Sequence, residues 1–245
     1  MKLHNKIAGF FGYELIKRRK HPSPASHVIN LIRRQRIDVV LDVGANSGQF
    51  GAMLRDWGYR GDIHSFEPVA ETFAALRQSA AGDSAWHTHN LALGDVPGEQ
   101  VINVSASSDL SSFLAANAFG EDKYADIAVS ATQAVAVARL DEFLSARPEL
   151  FAARNIFLKM DTQGYDLNVL RGAETVLDRI DVLLSELSLI PIYTDMPDYL
   201  EALRLYRNYG FVLTGLYPIS RRDDFSVIEM DCMFIRATTA SHEPY

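Results

Sequence analysis

Residues 41–48 read Leu41-Asp42-Val43-Gly44-Ala45-Asn46-Ser47-Gly48. The run 37–43 that leads into them is almost continuously apolar, which is typical of a strand buried on both faces of a parallel sheet. Residues 50–57 then carry apolar side chains at helical spacing and stop at Gly58. The stretch therefore predicts a buried strand, a tight glycine turn and a helix.

The same alternation of strand and helix continues along the chain. Strands are predicted at 62–67, 86–93, 155–161 and 182–186, helices at 26–36, 69–80, 140–146, 166–179 and 198–209, a hairpin-like turn at 94–98 and a closing strand pair at 211–216 and 227–236. This order predicts an α/β fold: a mostly parallel sheet with a closing antiparallel strand and helices on both faces. Its ligand site is expected beyond the carboxyl ends of the strands.

Length and composition favour one domain. With 245 residues and 48% hydrophobic residues, the chain can bury a single sizeable α/β core. The one cysteine, Cys232, cannot form an intrachain disulfide, which suits a reducing compartment. No apolar run reaches the roughly 18 to 20 residues of a membrane span, and no signal peptide is recognisable at the N-terminus. We expect a soluble, cytoplasmic protein.

Charge is distributed unevenly along the chain. Residues 1–36 contain nine Lys or Arg and one acid, whereas residues 37–245 contain fifteen Lys or Arg and thirty acids. We therefore distinguish a basic N-terminal helical arm (1–36), a ligand-binding domain (37–236) and a tail (237–245). Two interpretations of the arm stay open: a helix docked on the protein's own body, or peripheral contact with a membrane or glycolipid at the inner membrane surface. The acidic body argues against nucleic acid as a partner.

The glycine turn indicates the kind of ligand. Dinucleotide enzymes place G-x-G-x-x-G at this position, but Asn46 occupies the place of the middle glycine, and the lysine of a P-loop is missing. Asp42 precedes the turn, where a carboxylate suits an amino group and a sulfonium better than a pyrophosphate. Glu67 ends the next predicted strand, where an acid can accept hydrogen bonds from both ribose hydroxyls. Together these acids predict S-adenosylmethionine as the ligand.

The predicted cofactor site also includes the turn backbone and the residues after the second and third strands. Its members are Asp42, Gly44, Ala45, Asn46, Gly48, Glu67, Pro68, Asn90, Leu91 and Ala92. The last three are placed beside the adenine ring through backbone contacts and apolar packing. The alternative is that Asp42 only caps the turn and Glu67 is a solvated strand end.

Between about Val39 and Arg236, the sequence resembles the FkbM family of methyltransferases. The resemblance rests on residues 41–48, on Ser65-Phe66-Glu67-Pro68, Asn90-Leu91-Ala92-Leu93-Gly94-Asp95, Arg139-Leu140-Asp141, Leu158-Lys159-Met160-Asp161-Thr162-Gln163-Gly164-Tyr165-Asp166 and Val169-Leu170-Arg171-Gly172-Ala173. It implies a class I, Rossmann-like methyltransferase fold and O-methylation of acceptors such as sugar and macrolide hydroxyls. The domain 37–236 would then be the S-adenosylmethionine-binding methyltransferase domain.

One segment departs from the family pattern. The sequence has Thr162-Gln163-Gly164-Tyr165 where many relatives have Val-Glu-Gly-Ala, so no role of that glutamate can be transferred to Gln163. The version with Gln163 and Tyr165 resembles relatives associated with bacterial cell-surface glycans and glycolipids. The resemblance therefore favours a carbohydrate hydroxyl as the acceptor.

Asp161 is the candidate general base, because it ends the strand predicted beside the cofactor strand. Alternation places Lys159 on the same side as Asp161, where its ammonium group would keep the carboxylate ionised. Two alternatives stay open: Asp161 and Lys159 form a structural pair, or Asp161 contacts the methionine part of the cofactor.

Two metal hypotheses and two loops complete the candidates. Asp161 and Glu186 end neighbouring strands and would hold a divalent ion if one is used, whereas His87 and His89 lack a third ligand for zinc. The serine-rich stretch 105–112 and the loop 217–225 are the candidate acceptor pocket. The competing functions are methylation of nitrogen or of a small metabolite, and a binding protein or scaffold that retains the fold.

Overall fold

The computed structural model describes residues 3–13, 21–151 and 155–237. The strands are β1 (Val39–Val43), β2 (Asp62–Phe66), β3 (Trp86–His89), β4 (Ala92–Leu93), β5 (Gly98–Ser105), β6 (Val129–Ala138), β7 (Ile156–Met160), β8 (Ile180–Ser188), β9 (Phe211–Arg221) and β10 (Val227–Arg236). The helices are α1 (Leu3–Phe10), α2 (Pro24–Arg34), α3 (Gln49–Asp56), α4 (Ala70–Ser79), α5 (Ala118–Lys123), α6 (Leu140–Ser145), α7 (Pro148–Phe151), α8 (Asp166–Arg171) and α9 (Tyr199–Asn208).

Seven strands form the central sheet in the order β3-β2-β1-β7-β8-β10-β9. The first five strands in this order, β3, β2, β1, β7 and β8, run parallel to one another. Strand β10 is antiparallel to both β8 and β9. The α/β prediction, with a mostly parallel sheet and a closing antiparallel strand, is confirmed. The chain reverses its direction of travel across the sheet between β1 and β7, so the predicted switch point lies at the carboxyl end of β1.

Apolar side chains cover both faces of the sheet. All five residues of β1 and of β7 are buried, which explains their almost continuous apolar sequence. One core cluster contains Leu41, Leu158 and the helices after β6 and β7, and the other contains Val40, Phe157 and α2. Because Val40 and Leu41 are neighbours in β1, the two clusters pack against opposite faces of the sheet.

Helix α2 packs into the second of these clusters. Ser23 caps its first turn by accepting a hydrogen bond from the Ser26 amide, and Pro24 stands at the first helical position, where proline is favoured. Val28 and Ile32 are buried against the sheet. The domain boundary at residue 36 stays a prediction, although α2 shares its core with β1.

A second sheet, with order β4-β6-β5, differs from the sequence expectation. The predicted strand 86–93 divides into β3 and β4, and the hairpin predicted around 94–98 is wrong because β4 and β5 each pair with β6. Strand β6 was missed because most of it is exposed and its sequence alternates valine with alanine and small polar residues. Such a pattern gives little hydrophobic contrast.

Two further boundaries differ from the prediction. The helix predicted over 166–179 is α8 followed by a 3₁₀ helix over Glu174–Arg179. The break coincides with Gly172, where an added Cβ would lie 2.1 Å from the Gly94 carbonyl oxygen. Strand β9 continues to Arg221, so the loop predicted from residue 217 begins five residues later.

The first helix, α1, presents apolar side chains to solvent. Ile7, Phe10 and Phe11 are 56%, 86% and 67% exposed. For these residues the docked-helix interpretation of the arm is wrong, because docking would bury them. The basic run 17–20 lies outside the described residues. Within the described part of the chain, no helix has the length and apolar character needed to span a bilayer.

Candidate active site

A cavity of about 610 Å³ lies at the carboxyl edge of the central sheet. Its lining extends from Glu67 after β2, past the turn after β1 and the end of β7, to Glu186 on β8 and Asp231 on β10. Neighbouring strands are roughly 4.8 Å apart, so these extremes are separated by about 19 Å. The cavity therefore offers two ends, with the end of β7 between them.

The turn after β1 has no free backbone donors. The amides of Gly44 and Ala45 both donate to the Phe66 carbonyl, at 3.1 and 3.0 Å, and the Gly48 amide donates to the Ala45 carbonyl at 2.9 Å. The Asn46 amide donates to Glu67, and the Ser47 amide to the Asn46 side chain. A pyrophosphate would thus find no unpaired N–H among these five residues, which agrees with the exclusion of a dinucleotide from the sequence.

Gly44 is required by the approach of β7 rather than by a ligand. Its φ is +73°, and an added Cβ would lie 1.9 Å from the Asp161 carbonyl oxygen. The Asp161 amide in turn donates to the Val43 carbonyl at 3.1 Å. This glycine therefore brings the cofactor turn and the end of β7 into contact.

Glu67 is held by backbone donors at the cavity wall. Its Oε2 accepts from the Asn46 amide at 3.0 Å and its Oε1 accepts from the Val69 amide at 2.9 Å. Burial raises the pKa of Glu67 to about 7, although both amides favour the ionised form. A carboxylate has about four acceptor positions, so each oxygen can accept one more hydrogen bond from a ligand hydroxyl.

Asp42 lies behind Lys159 and does not line the cavity. Its side chain is completely buried; Oδ1 is 3.1 Å from Lys159 Nζ, and Oδ2 accepts from Ser65 Oγ at 3.1 Å. Lys159 does line the cavity and donates to the Gly44 carbonyl at 2.8 Å. Burial alone would lower the pKa of Lys159, but the carboxylates of Asp42 and Asp161 raise it above its usual value. The amine is therefore a permanent cation.

The predicted residues after β2 and β3 have different positions. Pro68, Leu91 and Ala92 line the cavity. Asn90 does not line it: its amide nitrogen donates to the Glu67 and Pro68 carbonyls, each at 2.9 Å. Asn90 thus orients the backbone that carries Glu67.

Asp161 and Glu186 are brought together, with an amide between them. Gln163 Nε2 lies 3.4 Å from Asp161 Oδ1 and 3.3 Å from Glu186 Oε1, while Gln163 Oε1 accepts from Tyr193 at 3.0 Å. Asp161 Oδ2 is 3.5 Å from Lys159 Nζ. Across the described ranges, no cluster of three or more His, Cys, Asp or Glu is arranged to hold a metal ion.

The histidines of β3 stack on a third histidine. His64 on β2 lies between His87 and His89, with ring centroids 4.5 and 5.4 Å away, and its Nδ1 is 3.1 Å from His89 Nε2. Burial lowers the pKa of His64 to about 3 and that of His89 to about 4. The three rings form an aromatic stack on the two strands at this edge of the sheet.

A family model described as the methyltransferase FkbM domain matches residues 42–213 of the 245-residue chain. The chain belongs to the FkbM methyltransferase family. It is therefore an S-adenosylmethionine-dependent methyltransferase with a class I fold, as the motifs implied. A comparison with curated proteins gave no significant match.

Several solved methyltransferases are similar to this FkbM methyltransferase. An rRNA methylase from Streptococcus thermophilus is 12% identical, with 89% of this chain and 99% of that chain covered and a TM-score of 0.48. A precorrin-6y C5,15-methyltransferase from Geobacter metallireducens is 11% identical, with 89% and 92% covered and a TM-score of 0.45. Fibrillarin from Aeropyrum pernix with natively bound S-adenosyl-L-methionine is 12% identical, with 85% and 74% covered and a TM-score of 0.44. Similarity this distant says nothing about the acceptor.

The far end of the methyltransferase cavity contains acids that the sequence reasoning missed. Asp231 and Glu229 line it beside Glu186, and Tyr124 donates to Glu229 at 2.8 Å. Burial and the neighbouring acids Asp161, Glu229 and Asp231 raise the pKa of Glu186 well above its usual range; burial raises that of Asp231 to about 6. The signal was visible: acids alternate with apolar residues along the closing strand.

The two predicted loops contribute unequally to the cavity. Within the serine-rich stretch, Ser108 Oγ donates to the Asn46 side chain at 3.1 Å, and Ser112 Oγ donates to the Gln163 carbonyl at 2.7 Å. Of the second candidate loop only Ile219 and Ser220, both in β9, belong to the lining, whereas the two arginines that follow do not. The serine-rich stretch therefore closes the cavity over the cofactor turn and the end of β7.

Proposed function

We propose that this enzyme methylates a hydroxyl of a carbohydrate acceptor, which is a glycan, a glycolipid or a glycosylated natural product. The supporting observation is the side-chain composition of the far end of the cavity, which is rich in carboxyl groups. Glu186, Glu229 and Asp231 line it, and among the described lining residues Lys159 is the only Lys or Arg. Carboxylates accept hydrogen bonds from sugar hydroxyls, but they repel phosphates. The site thus favours an uncharged polyol over nucleic acid.

In this proposal S-adenosylmethionine occupies the end of the cavity near β1 and β2. Glu67 accepts from both ribose hydroxyls, while Pro68, Leu91 and Ala92 pack around the adenine. The turn residues Gly44, Ala45 and Asn46 line the wall, whereas Gly48 does not line the cavity and faces Leu76, Ser79 and Trp86. Asp42 acts through Lys159, and Asn90 acts through the Glu67 backbone.

The cofactor supplies a methyl group activated by a sulfonium, and the protein must align the acceptor oxygen with it. Asp161 stands between the two ends of the cavity with its side chain 37% exposed, within reach of an acceptor hydroxyl. As general base, it would take the hydroxyl proton as the bond from oxygen to the methyl carbon forms and the bond from that carbon to sulfur breaks. Lys159 Nζ, 3.5 Å from Asp161 Oδ2, places a positive charge beside this base.

The experiment that tests the proposed function is methyl labelling. Purified enzyme is incubated with methyl-labelled S-adenosylmethionine and with glycan, glycolipid and glycoside fractions from cells that contain its gene. We expect label in an O-methyl sugar after acid hydrolysis, and none with Glu67→Ala that is folded by circular dichroism. Label only in nucleic acid, protein or small amines would contradict the carbohydrate assignment.

A second candidate is methylation of an amine, because the surplus of carboxylates at Glu186, Glu229 and Asp231 also attracts a cation. The same labelled product distinguishes the two. An N-methyl group in the hydrolysate would favour the amine, and an O-methyl sugar would favour the proposed function.

Peripheral contact with the inner membrane surface is a further part of the proposal. It is supported by the exposed Ile7 and Phe10 of α1, by the exposed Phe11 directly after this helix, and by the nine Lys or Arg within residues 1–36. We expect the full chain to co-sediment with vesicles containing anionic lipid, and a chain without residues 1–20 to remain in the supernatant. Equal behaviour of the two chains would contradict this contact.

A further inference from the structure

The acceptor end of the cavity has two unlike walls. One wall carries the carboxylates of Asp161, Glu186 and Asp231. The other is apolar and comes from three separate elements: Pro24 and Ala25 of α2, Phe50 and Met53 of α3, and Ile219 of β9. The proposed function uses only the first wall, and the second is without a role in it.

The apolar wall begins at the reacting centre. The Phe50 ring centroid is 5.8 Å from Lys159 Nζ, and the ring is held edge-on against Phe157 at 6.0 Å. From there the wall extends to Ile219, which is 52% exposed at the rim. A ligand whose hydroxyl reaches Asp161 would therefore extend along apolar side chains.

The sheet beneath shows the same division. Leu184 of β8 pairs with Met233 of β10. Two residues nearer the carboxyl end of β8, Glu186 pairs with Asp231. Alternation places these two pairs on the same face, so an apolar pair lies directly beside an acidic pair. The floor of the cavity thus repeats the contrast between its walls.

We infer that the acceptor is an amphiphilic glycoside, whose hydroxylated ring faces the carboxylates and whose hydrocarbon substituent lies against Ala25, Met53 and Ile219. A fully hydroxylated sugar would leave hydroxyls without partners along the apolar wall, which costs free energy, whereas a hydrocarbon group gains free energy there. This inference rests on the proposed function and narrows its acceptor class.

The test measures binding without turnover. The enzyme, saturated with S-adenosylhomocysteine, is titrated calorimetrically with matched methyl and hexyl glycosides of several sugars, and with 1-hexanol as a probe that lacks a sugar. We expect at least one hexyl glycoside to bind about tenfold more tightly than its methyl partner, which corresponds to about 1.4 kcal/mol. Ala25→Glu places a charge in the wall at a helix N-terminus that tolerates acids, and should abolish this gain. Asn30→Glu, on the exposed side of α2, is the matched control and should retain it.

The outcomes separate the inference from the function on which it rests. Equal affinity for methyl and hexyl glycosides, or a hexyl gain that survives Ala25→Glu, would overturn the amphiphilic acceptor and leave the carbohydrate assignment intact. A third outcome is that the natural protein binds 1-hexanol but no glycoside, and that Ala25→Glu loses the binding of 1-hexanol. This outcome would support the apolar subsite and overturn the carbohydrate acceptor. If S-adenosylhomocysteine binds but neither glycosides nor hexanol do, the inference is wrong.

Discussion

Single residues at the cofactor end differ in what they can do chemically. Glu67 is the acid that both faces the cavity and titrates near neutral pH, because burial raises its pKa to about 7. Asp42, the acid nearest the glycine turn, is enclosed by Lys159 and Ser65 and has no access to a ligand. The ribose assignment therefore depends on Glu67 alone, and so do its tests.

Cofactor affinity should depend on pH through Glu67. Ribose hydroxyls donate to the ionised form, so binding favours loss of the proton and tightens as the pH rises through about 7. We expect S-adenosylhomocysteine to bind roughly tenfold more tightly at pH 8 than at pH 6 on this account. The measurement is calorimetric titration at the two pH values, with Glu67→Gln as the control. The ligand's own amino group also titrates, but it contributes equally to the pH dependence of affinity in both proteins. Identical pH dependence in the two would refute the ribose role.

Asp161→Asn distinguishes a general base from a contact for the methionine part of the cofactor, two of the three roles left open for Asp161. If Asp161 is the base, the variant keeps its cofactor affinity and loses roughly 10²–10⁴ in turnover, measured with the acceptor found by methyl labelling. A large loss of affinity with nearly unchanged saturated turnover would instead make Asp161 a contact for the methionine part of the cofactor.

At the level of elements, buried polar groups connect the strands that carry the site. Asp42 on β1 and Lys159 on β7 form an ion pair of 3.1 Å inside the sheet, and Lys159 also binds the turn after β1. At the edge of the sheet formed by β3, the stack of His64, His87 and His89 connects β2 and β3. The ion pair and the histidine stack lead to separate predictions about the stability of the fold.

Removing Lys159 should destabilise the fold as well as the site. Lys159→Met leaves the Asp42 carboxylate buried without a cation, which should lower the free energy of unfolding by about 3–5 kcal/mol. The double variant Asp42→Asn with Lys159→Met removes both charges and should recover most of this loss in urea unfolding. If the double variant is no more stable than the single one, the ion pair does not explain the role of Lys159.

The histidine stack should make the protein sensitive to acid. The folded-state pKa of His64 is lowered to about 3, so the unfolded chain takes up a proton below about pH 6.5 that the folded protein refuses. Stability is thus complete above pH 6.5 and falls as the pH decreases from there toward the folded pKa. We expect His64 to account for about 1–2 kcal/mol of the loss between pH 7 and pH 5.

The measurement for this prediction is urea unfolding at the two pH values, in the natural protein and in His64→Leu. The variant should lose less stability than the natural protein between pH 7 and pH 5. Parallel pH profiles would show that other groups cause the acid sensitivity.

For the whole molecule, the second sheet is the part that completes the cavity. Its connecting segment reaches the cofactor turn through Ser108 and the end of β7 through Ser112. Ala116 also bridges to Tyr193, which orients Gln163 between the two carboxylates. The small sheet and the central sheet thus form the site together.

Cofactor binding should therefore order the serine-rich stretch as well as the turn. We expect S-adenosylhomocysteine to slow amide hydrogen exchange several-fold at residues 105–116 and 44–50. Helix α9, remote from the cavity lining, is the internal control and should not change. Protection confined to residues 44–50 would show that the second sheet does not close over the cofactor.

Much of the fold and part of the site could be predicted from the sequence. Strands β1 and β7 could be predicted because both are buried on both faces, which gives an almost continuous apolar run that ends next to a glycine or an acid. The positions of Glu67 and Asp161 follow from the same rule, since parallel strands end at one edge. Strand β6 was not predicted because an exposed, alanine-rich strand has little hydrophobic contrast. Glu229 and Asp231 were not predicted because β10 is antiparallel, so the start of this strand, and not its end, lies at the edge that carries the site.

The sequence by itself determined the α/β fold, the family and the edge where the chemistry takes place, because these depend on local periodicity and on short contiguous motifs. Only the tertiary structure decided which acids face the ligand. It placed Asp42 behind Lys159, inserted Gln163 between Asp161 and Glu186, and joined three distant segments into an apolar wall. Those arrangements depend on the packing of side chains that are far apart in the chain, and no local pattern encodes them.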